Sequence, residues 1–463
     1  MIDGSSSILI KNALRVLTFD NLNREIEGGD VLIQGPVIKA VGKDIQPPPG
    51  ARVLDAKGCV VMPGLVNTHH HLFQTLTRCV PAAQDAKLFD WLVHLYGLWK
   101  HLTPEAVSVS AQVGLVELLL TGCTTTADHL YVFPKGAPAE WIDLEIEAAR
   151  NLGIRFQPTR GSMSLGRSRG GLPPDELVQE EEEILKDSER LVKKYHDPSP
   201  GSMCRVALAP CSPFSVTTAL LKMTAEAAAK WKVPLHTHLA ETLDEIEYCR
   251  QRHRMTPLEY MDSAGWLGPR TWLAHCVHMG PVDIRRMAQT RTAVAHCPTS
   301  NLRLGSGIAP VRDFLNAGVQ VGLGVDGSAS NDSSDMLAEA RQCLLVHRVK
   351  SGVGSMPARD VLRMATRGGA SALGFEAVGL LETDKAADIA VFDLNGVDFA
   401  GAWHDPVAAL LFAGASRRAR WVMVNGRLVV EDFAVAGLDE KELAARANRL
   451  AFALVEKAAG GVK

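Results

Sequence analysis

The chain has 463 residues, enough for one large α/β unit with a smaller companion. Its 49 Lys and Arg against 52 Asp and Glu give a formal net charge of −3, which leaves no basic surplus to form the stripe a nucleic-acid surface needs. With 46% hydrophobic and 22% charged residues the composition is globular rather than disordered, and with no export-type leader in residues 1–7 and no apolar run near 18 residues, the expectation is a soluble cytoplasmic protein.

Taken in chain order, residues 8–61 alternate short apolar segments with turn residues, at 8–10, 30–33 and 37–41, the pattern of small antiparallel strands. The same texture returns at 387–392 and 421–426. The two chain ends are therefore expected to meet in one composite β-sandwich domain, residues 1–62 with 376–463. Between them, eight apolar, β-rich runs recur, at 60–67, 124–128, 154–158, 205–210, 233–238, 271–275, 292–296 and 319–325. Near-continuous apolar strands separated by helices describe a parallel sheet covered on both faces. Eight such units predict an α/β fold, a (β/α)8 TIM barrel over residues 63–375.

The helices between the strands carry ordinary signals. Thr103-Pro104-Glu105 opens a helix in N-cap and N1-proline style, running to Leu120 and stopped by Gly122. The acidic run 180–183 reads as a solvated helix face. The Gly- and Pro-rich loop 166–174 follows the third strand, which in a barrel lies over the active face. The nine cysteines include no CxxC pair, so they read as buried thiols in a reducing compartment.

The chemistry-bearing residues gather at the ends of these strands. Strand one ends Asn67-Thr68-His69-His70-His71, and alternation sends His69 and His71 to one face, where two imidazoles can share a metal. Three consecutive histidines alone are weak evidence. Strand five, however, ends His236-Thr237-His238-Leu239-Ala240-Glu241, strand six at His275, strand seven at His296, and strand eight runs into Val325-Asp326-Gly327. A core role explains one such histidine and has to be repeated at every equivalent position. His69, His71 and His238 with the carboxylate of Asp326 supply the nitrogen and oxygen donors that a catalytic zinc uses; iron or manganese suits the same set. Strand four ends Ala209-Pro210-Cys211 and offers no bridging lysine or carboxylate, so one metal is expected.

With these residues assembled, the chain resembles the metal-dependent amidohydrolase superfamily, in the aminohydrolase branch of heterocycle deaminases and triazine hydrolases. The resemblance spans essentially the whole chain and rests on PGLVNTHHH at 63–71, HTHLAE at 236–241, HCPTSN at 296–301 and GVDGSASND at 324–332. Further segments, at 67–78, 122–134, 159–175 and 209–216, are most similar to 8-oxoguanine deaminases and in part to chlorotriazine hydrolases. The resemblance implies that His69, His71, His238 and Asp326 bind the metal, that Glu241 shuttles protons, and that His275 orients the attacking water; His70 is not a ligand. It implies a zinc enzyme, often a homo-oligomer, acting on a small heterocycle, with 8-oxoguanine giving urate and ammonia. Guanine, isoxanthopterin or another amino-heterocycle, and a triazine losing chloride or an amine, are the alternatives. A non-catalytic barrel is the remote one, since relatives of that kind lose metal ligands and this chain keeps them. Ammonia leaves only when protonated, whereas chloride needs no proton. The chlorotriazine hydrolases of the branch depart at one of the two carboxylate positions, and retention of both Glu241 and Asp326 favours deamination.

Four residues are candidate substrate contacts. Gln74 follows His71 by three positions and has an amide able to meet a lactam edge, or is an ordinary loop residue. Arg160 closes strand three and pairs either with a substrate oxygen or with a scaffold carboxylate. His129 and Cys211 close strands two and four, facing the pocket or, for Cys211, filling a small buried space. Trp91 and Trp99 stack on a flat ring or belong to the core.

Overall fold

The computed structural model describes residues 7–413 and 418–460. Eight parallel strands form a closed barrel: β1 Leu65–Asn67, β2 Cys123–Leu130, β3 Arg155–Ser162, β4 Ala207–Pro210, β5 Leu235–Leu239, β6 Thr271–His275, β7 Ala293–His296 and β8 Val321–Leu323. Each pairs with the next, and β8 returns to β1. Every residue of these strands is buried, which explains why they read as continuous apolar runs: the barrel interior covers one face and the helices cover the other. Small side chains such as Ala127, Ala207, Ala274 and Ala295 leave interior room for Trp272, whose indole donates to the Thr68 carbonyl (3.0 Å) beneath the metal-competent residues.

The apolar run at 60–67 is two strands rather than one. Cys59–Pro63 pairs antiparallel with Ile389–Asp393 outside the barrel, and only Leu65–Asn67 enters it. The break falls at Gly64, where a Cβ would lie 2.1 Å from the Thr124 side chain. Both halves are fully buried, so hydrophobicity carried no sign of the change of sheet.

That pairing joins the chain ends. A seven-stranded sheet combines Arg15–Leu17, Glu25–Ile26 and Cys59–Pro63 with Ile389–Asp393, Trp421–Val424, Arg427–Glu431 and Ala434–Val435. A four-stranded sheet of Ser7–Ala13, Gly29–Gln34, Val37–Gly42 and Arg52–Asp55 shares its core through Ile10, Val31, Ile33, Val61, Ile389 and Met423. The C-terminal segment is not all sheet: helix Glu440–Gly460 packs on barrel helix Pro104–Leu120, burying Leu443 and Leu454. Barrel and sheet are tied by the fully buried, bidentate pair Arg155–Asp388, with Nε–Oδ2 at 3.0 Å and Nη2–Oδ1 at 2.9 Å.

Candidate metal centre and acid–base site

The imidazoles at the barrel mouth are fixed in tautomer by what lies behind them. His71 Nδ1 is 2.7 Å from the His129 carbonyl and His238 Nδ1 is 2.6 Å from the Cys211 carbonyl. A carbonyl only accepts, so each Nδ1 carries the hydrogen and each Nε2 presents a lone pair; the two Nε2 atoms lie 3.0 Å apart. A relay sets the third ring. His236 Nδ1 donates to the Trp272 carbonyl (2.8 Å), and its Nε2 accepts from His69 Nδ1 (2.8 Å). That leaves His69 Nε2 buried, with a lone pair and, among the described residues, no hydrogen-bond partner.

Asp326 Oδ1 completes the group at 3.3 Å from Nε2 of both His69 and His71. Burial drives His69 well below the ordinary imidazole range and His238 down to about 3, so both rings are neutral. Three nitrogen lone pairs and a carboxylate oxygen aimed at one point repel each other unless a cation lies between them, and with a cation they are an N3O ligand set. The carbonyls and His236 behind the rings are the outer partners that metal-binding histidines need. The donor set fits a divalent metal. His70 turns away, its Nε2 meeting the Ser334 hydroxyl at 2.9 Å.

Proton-carrying groups border this cluster. His275 Nε2 lies 3.6 Å from Glu241 Oε2 and 3.9 Å from Asp326 Oδ2. Burial, and then the nearby Asp326, pushes Glu241 up to about 8, and its Oε1 has no partner. His275 and Asp326 hold left-handed backbone conformations, φ 70° and 64°, which non-glycine residues adopt at a cost of about 1 kcal/mol or more where surroundings over-determine them. Among the described residues a second histidine–cysteine cluster, His296, Cys343 and His347, lies between β7 and helix Met336–Ser351. Its rings share a 3.0 Å Nε2–Nε2 hydrogen bond, and His296 Nδ1 is buried without a hydrogen-bond partner among the described residues.

His71, His238, Glu241, His275 and Asp326 line a cavity walled by Leu88, Trp91, Leu92, Tyr131, Phe214 and Leu304. Gln74 and Cys211 also reach it. Gln74 Oε1 is buried without a partner, packed so close to Gly327 that a Cβ there would lie 1.9 Å away. Burial pushes the Cys211 thiol up to about 12, so it is a neutral wall group. Trp91 faces the cavity, while Trp99 lies deeper and donates to Thr77 Oγ1 (3.1 Å).

Two candidate contacts are placed elsewhere. Arg160 points out of the barrel, with Nε on Asp187 (2.5 Å), Nη1 on the Gly161 carbonyl, Nη2 on Gln179 (3.1 Å) and the guanidinium over Phe133. Its parity in β3 is opposite to that of Gln157 and Thr159, so the side chain serves the scaffold. His129 stacks on His238, donates from Nε2 to the Ala209 carbonyl (2.8 Å) and has a ring nitrogen within 4.8 Å of those of His69, His71 and His238, so it belongs to the donor cluster rather than to the cavity wall. The loop 166–174 backs the wall, its Leu172 N–H donating to the Phe214 carbonyl (3.1 Å).

Several neighbours had no role in the sequence reading. Glu245 accepts from the backbone N–H groups of Ala240 (2.7 Å) and Glu241 (3.1 Å), and Asn301 meets His275 Nδ1 at 2.9 Å. Asn301 was visible only as part of HCPTSN, and Glu245 only as an acid four residues beyond Glu241. The aromatic wall residues Tyr131 and Phe214 follow strands two and four, where position after a strand end was the available signal.

A parallel (β/α)8 barrel with a buried N3O donor cluster, two further ionisable groups and a cavity at the C-terminal ends of its strands is a metal-dependent hydrolase. The amidohydrolase family model matches residues 60–429. This chain belongs to the amidohydrolase family. It is 49% identical over 447 residues to an 8-oxoguanine deaminase of Pseudomonas aeruginosa, covering 96% of this chain and 98% of that one. It is 36% identical to an isoxanthopterin deaminase from an unknown prokaryotic organism, covering 97% of each. Among solved structures it superposes, with a TM-score of 0.92, on the atrazine chlorohydrolase of Arthrobacter aurescens TC1 complexed with zinc, at 39% identity over 96% of this chain and 100% of that one. Among the described residues no helix is long and apolar enough to cross a membrane.

Proposed function

We propose that this chain is a zinc-dependent aminohydrolase that converts 8-oxoguanine to urate and ammonia, with His69, His71, His238 and Asp326 as the metal ligands. The observation that carries the reading is the presence of two carboxyl groups, Glu241 and Asp326, beside one donor cluster on the wall of a small, mostly apolar cavity. The 49% identity to a named 8-oxoguanine deaminase supports the choice of heterocycle. The nine cysteines, all free thiols, support a reducing, cytoplasmic setting.

A metal held there supplies a Lewis acid and makes water a stronger acid. The residues do the rest. Asp326 Oδ2 takes the proton of the attacking water, and His275 Nε2 steadies the adding oxygen. Glu241, whose proton is favoured by burial, gives it to the ring nitrogen beside the carbon under attack. Asp326 then passes its proton to the exocyclic amine, which leaves as ammonia, and the hydroxyl proton on the tetrahedral carbon returns to Glu241. Water gains a C–O bond, the amine loses its C–N bond, and both carboxyls end as they began. Trp91, Leu92 and Phe214 exclude solvent from a flat ring, and Gln74 Oε1 accepts from its lactam N–H.

Ammonia release and ultraviolet spectra with 8-oxoguanine, guanine, isoxanthopterin and a chlorotriazine, run in parallel on zinc-loaded protein, test this reading. Conversion of 8-oxoguanine to urate with kcat/KM above about 10⁴ M⁻¹s⁻¹ is expected. Consumption of another of the four with no turnover of 8-oxoguanine would overturn the substrate while leaving the metal chemistry in place.

A further inference from the structure

His275 is aimed by a side chain from a different strand end. Its Nδ1 is 2.9 Å from Oδ1 of Asn301, and each residue is only 1% exposed. Asn301 belongs to the short helix Pro298–Arg303 that follows β7, its own N–H bonded to the Cys297 carbonyl (3.1 Å). His275 ends β6 with φ 70°, and its Cβ direction is therefore set by a backbone conformation that a side-chain partner has to match.

The amide oxygen decides which ring nitrogen faces the reaction. An oxygen acceptor at Nδ1 means that this nitrogen carries a hydrogen, so the lone pair of the neutral ring sits on Nε2, the atom facing Glu241 and Asp326. The other tautomer would set the Nδ1 lone pair against the Asn301 oxygen and turn an N–H toward the carboxyl groups, where the ring could donate but not accept. Among the described residues the remaining amide atom, Nδ2, has no hydrogen-bond partner, and the Asn301 side chain bonds to His275 alone.

We propose that Asn301 is a positioning residue whose amide oxygen holds His275 in the Nδ1–H form, leaving Nε2 free to accept and return a hydrogen bond at the reacting group. This rests on reading the cavity as a hydrolytic deaminase site, in which His275 Nε2 meets the adding oxygen.

The test is ¹⁵N NMR of histidine-labelled, zinc-loaded protein, with the His275 signal assigned by its loss in His275→Gln, alongside steady-state kinetics of Asn301→Leu and Asn301→Asp. In the wild-type protein His275 is expected to show a protonated Nδ1 and an unprotonated Nε2. Asn301→Leu should mix the tautomers and lower kcat by about 10- to 100-fold, the scale typical of losing a partner that orients a site group, with KM within about threefold of wild type. Asn301→Asp keeps an oxygen acceptor and should restore the Nδ1–H form and most of kcat. A wild-type ring protonated at Nε2 alone would overturn the proposal, and so would Asn301→Leu with an unchanged ring spectrum and kcat. If Asn301→Leu fails to fold, the wild-type and Asn301→Asp spectra still decide. Absence of turnover on every heterocycle in wild-type protein would strike the deaminase reading, while the spectrum still reports the tautomer.

Discussion

Glu241→Gln removes a proton carrier and almost nothing else. The side chain is 5% exposed, lies 3.6 Å from His275 Nε2 through Oε2, and has no partner at Oε1 among the described residues, so an amide of the same shape fits without leaving a buried charge unpaired. Burial and Asp326 raise the carboxyl to about 8, which favours its protonated form relative to a free carboxyl. It is therefore poised to protonate a ring nitrogen and, after attack, to take a proton back. A positioned acid–base group of this kind contributes roughly 10²- to 10⁴-fold, equivalent to about 3–5 kcal/mol of barrier at 1.36 kcal/mol per decade. The assay is initial-rate ammonia release at saturating 8-oxoguanine, with metal content measured on the same preparation. Because Glu241 lies outside the N3O cluster, the variant should retain its metal and its KM while losing kcat by that factor. A variant within threefold of wild-type kcat, metal still bound, would refute the role given to Glu241.

Arg155→Met leaves Asp388 buried without its partner, and loss of one member of such a pair costs about 3–5 kcal/mol; urea denaturation should show it, and a loss below about 1 kcal/mol would mean the pair does not tie barrel to sheet. Gly327→Ala forces the Gln74 amide away from a Cβ that would otherwise sit 1.9 Å from its oxygen. A displacement near 1 Å costs up to about 100-fold, so kcat/KM for 8-oxoguanine should fall with metal content unchanged; an unchanged kcat/KM would show that Gln74 does not contact substrate. Burial lifts the Glu339 carboxyl from 4.5 to about 8. Between those values the folded state holds a proton that the unfolded chain releases, so stability falls as pH rises through the window and levels off above about 8. Glu339→Gln should make that fall shallower by up to about 1.4 kcal/mol per pH unit, and parallel curves for the two proteins would contradict the assignment.

The sequence disclosed what depends on residue type at strand ends. Eight strands are buried along their whole length, and metal-competent side chains recur at their C-terminal ends, so His69, His71, His238, His275 and Asp326 could be picked out as candidates before any contact was known. It did not disclose which parity of a strand faces inward. Arg155 and Arg160 lie on opposite faces of β3, and nothing in their chemistry says that neither meets substrate. His129 lies within the donor cluster rather than on the cavity wall, and a ring of the cluster and a wall residue have the same sequence appearance. The split at Gly64 and the helix at Glu440–Gly460 were hidden for different reasons. In the first, two buried strands abut with one residue between them; in the second, small apolar residues such as Ala447 and Ala451 cover a barrel helix without the stronger pattern of a large-residue stripe. Glu245 and Asn301, the partners of the Glu241 backbone and of His275, are polar residues among many, and only distance separates them from the rest.

The most direct test of the account is to strip the protein with a chelator and follow ammonia release from 8-oxoguanine as zinc is returned. Activity should be absent at the start, rise linearly, and level off at one equivalent per chain, with Asp326→Ala failing to recover. Full turnover by the stripped protein, or restoration that requires two equivalents, would contradict a single N3O metal centre as the origin of the chemistry.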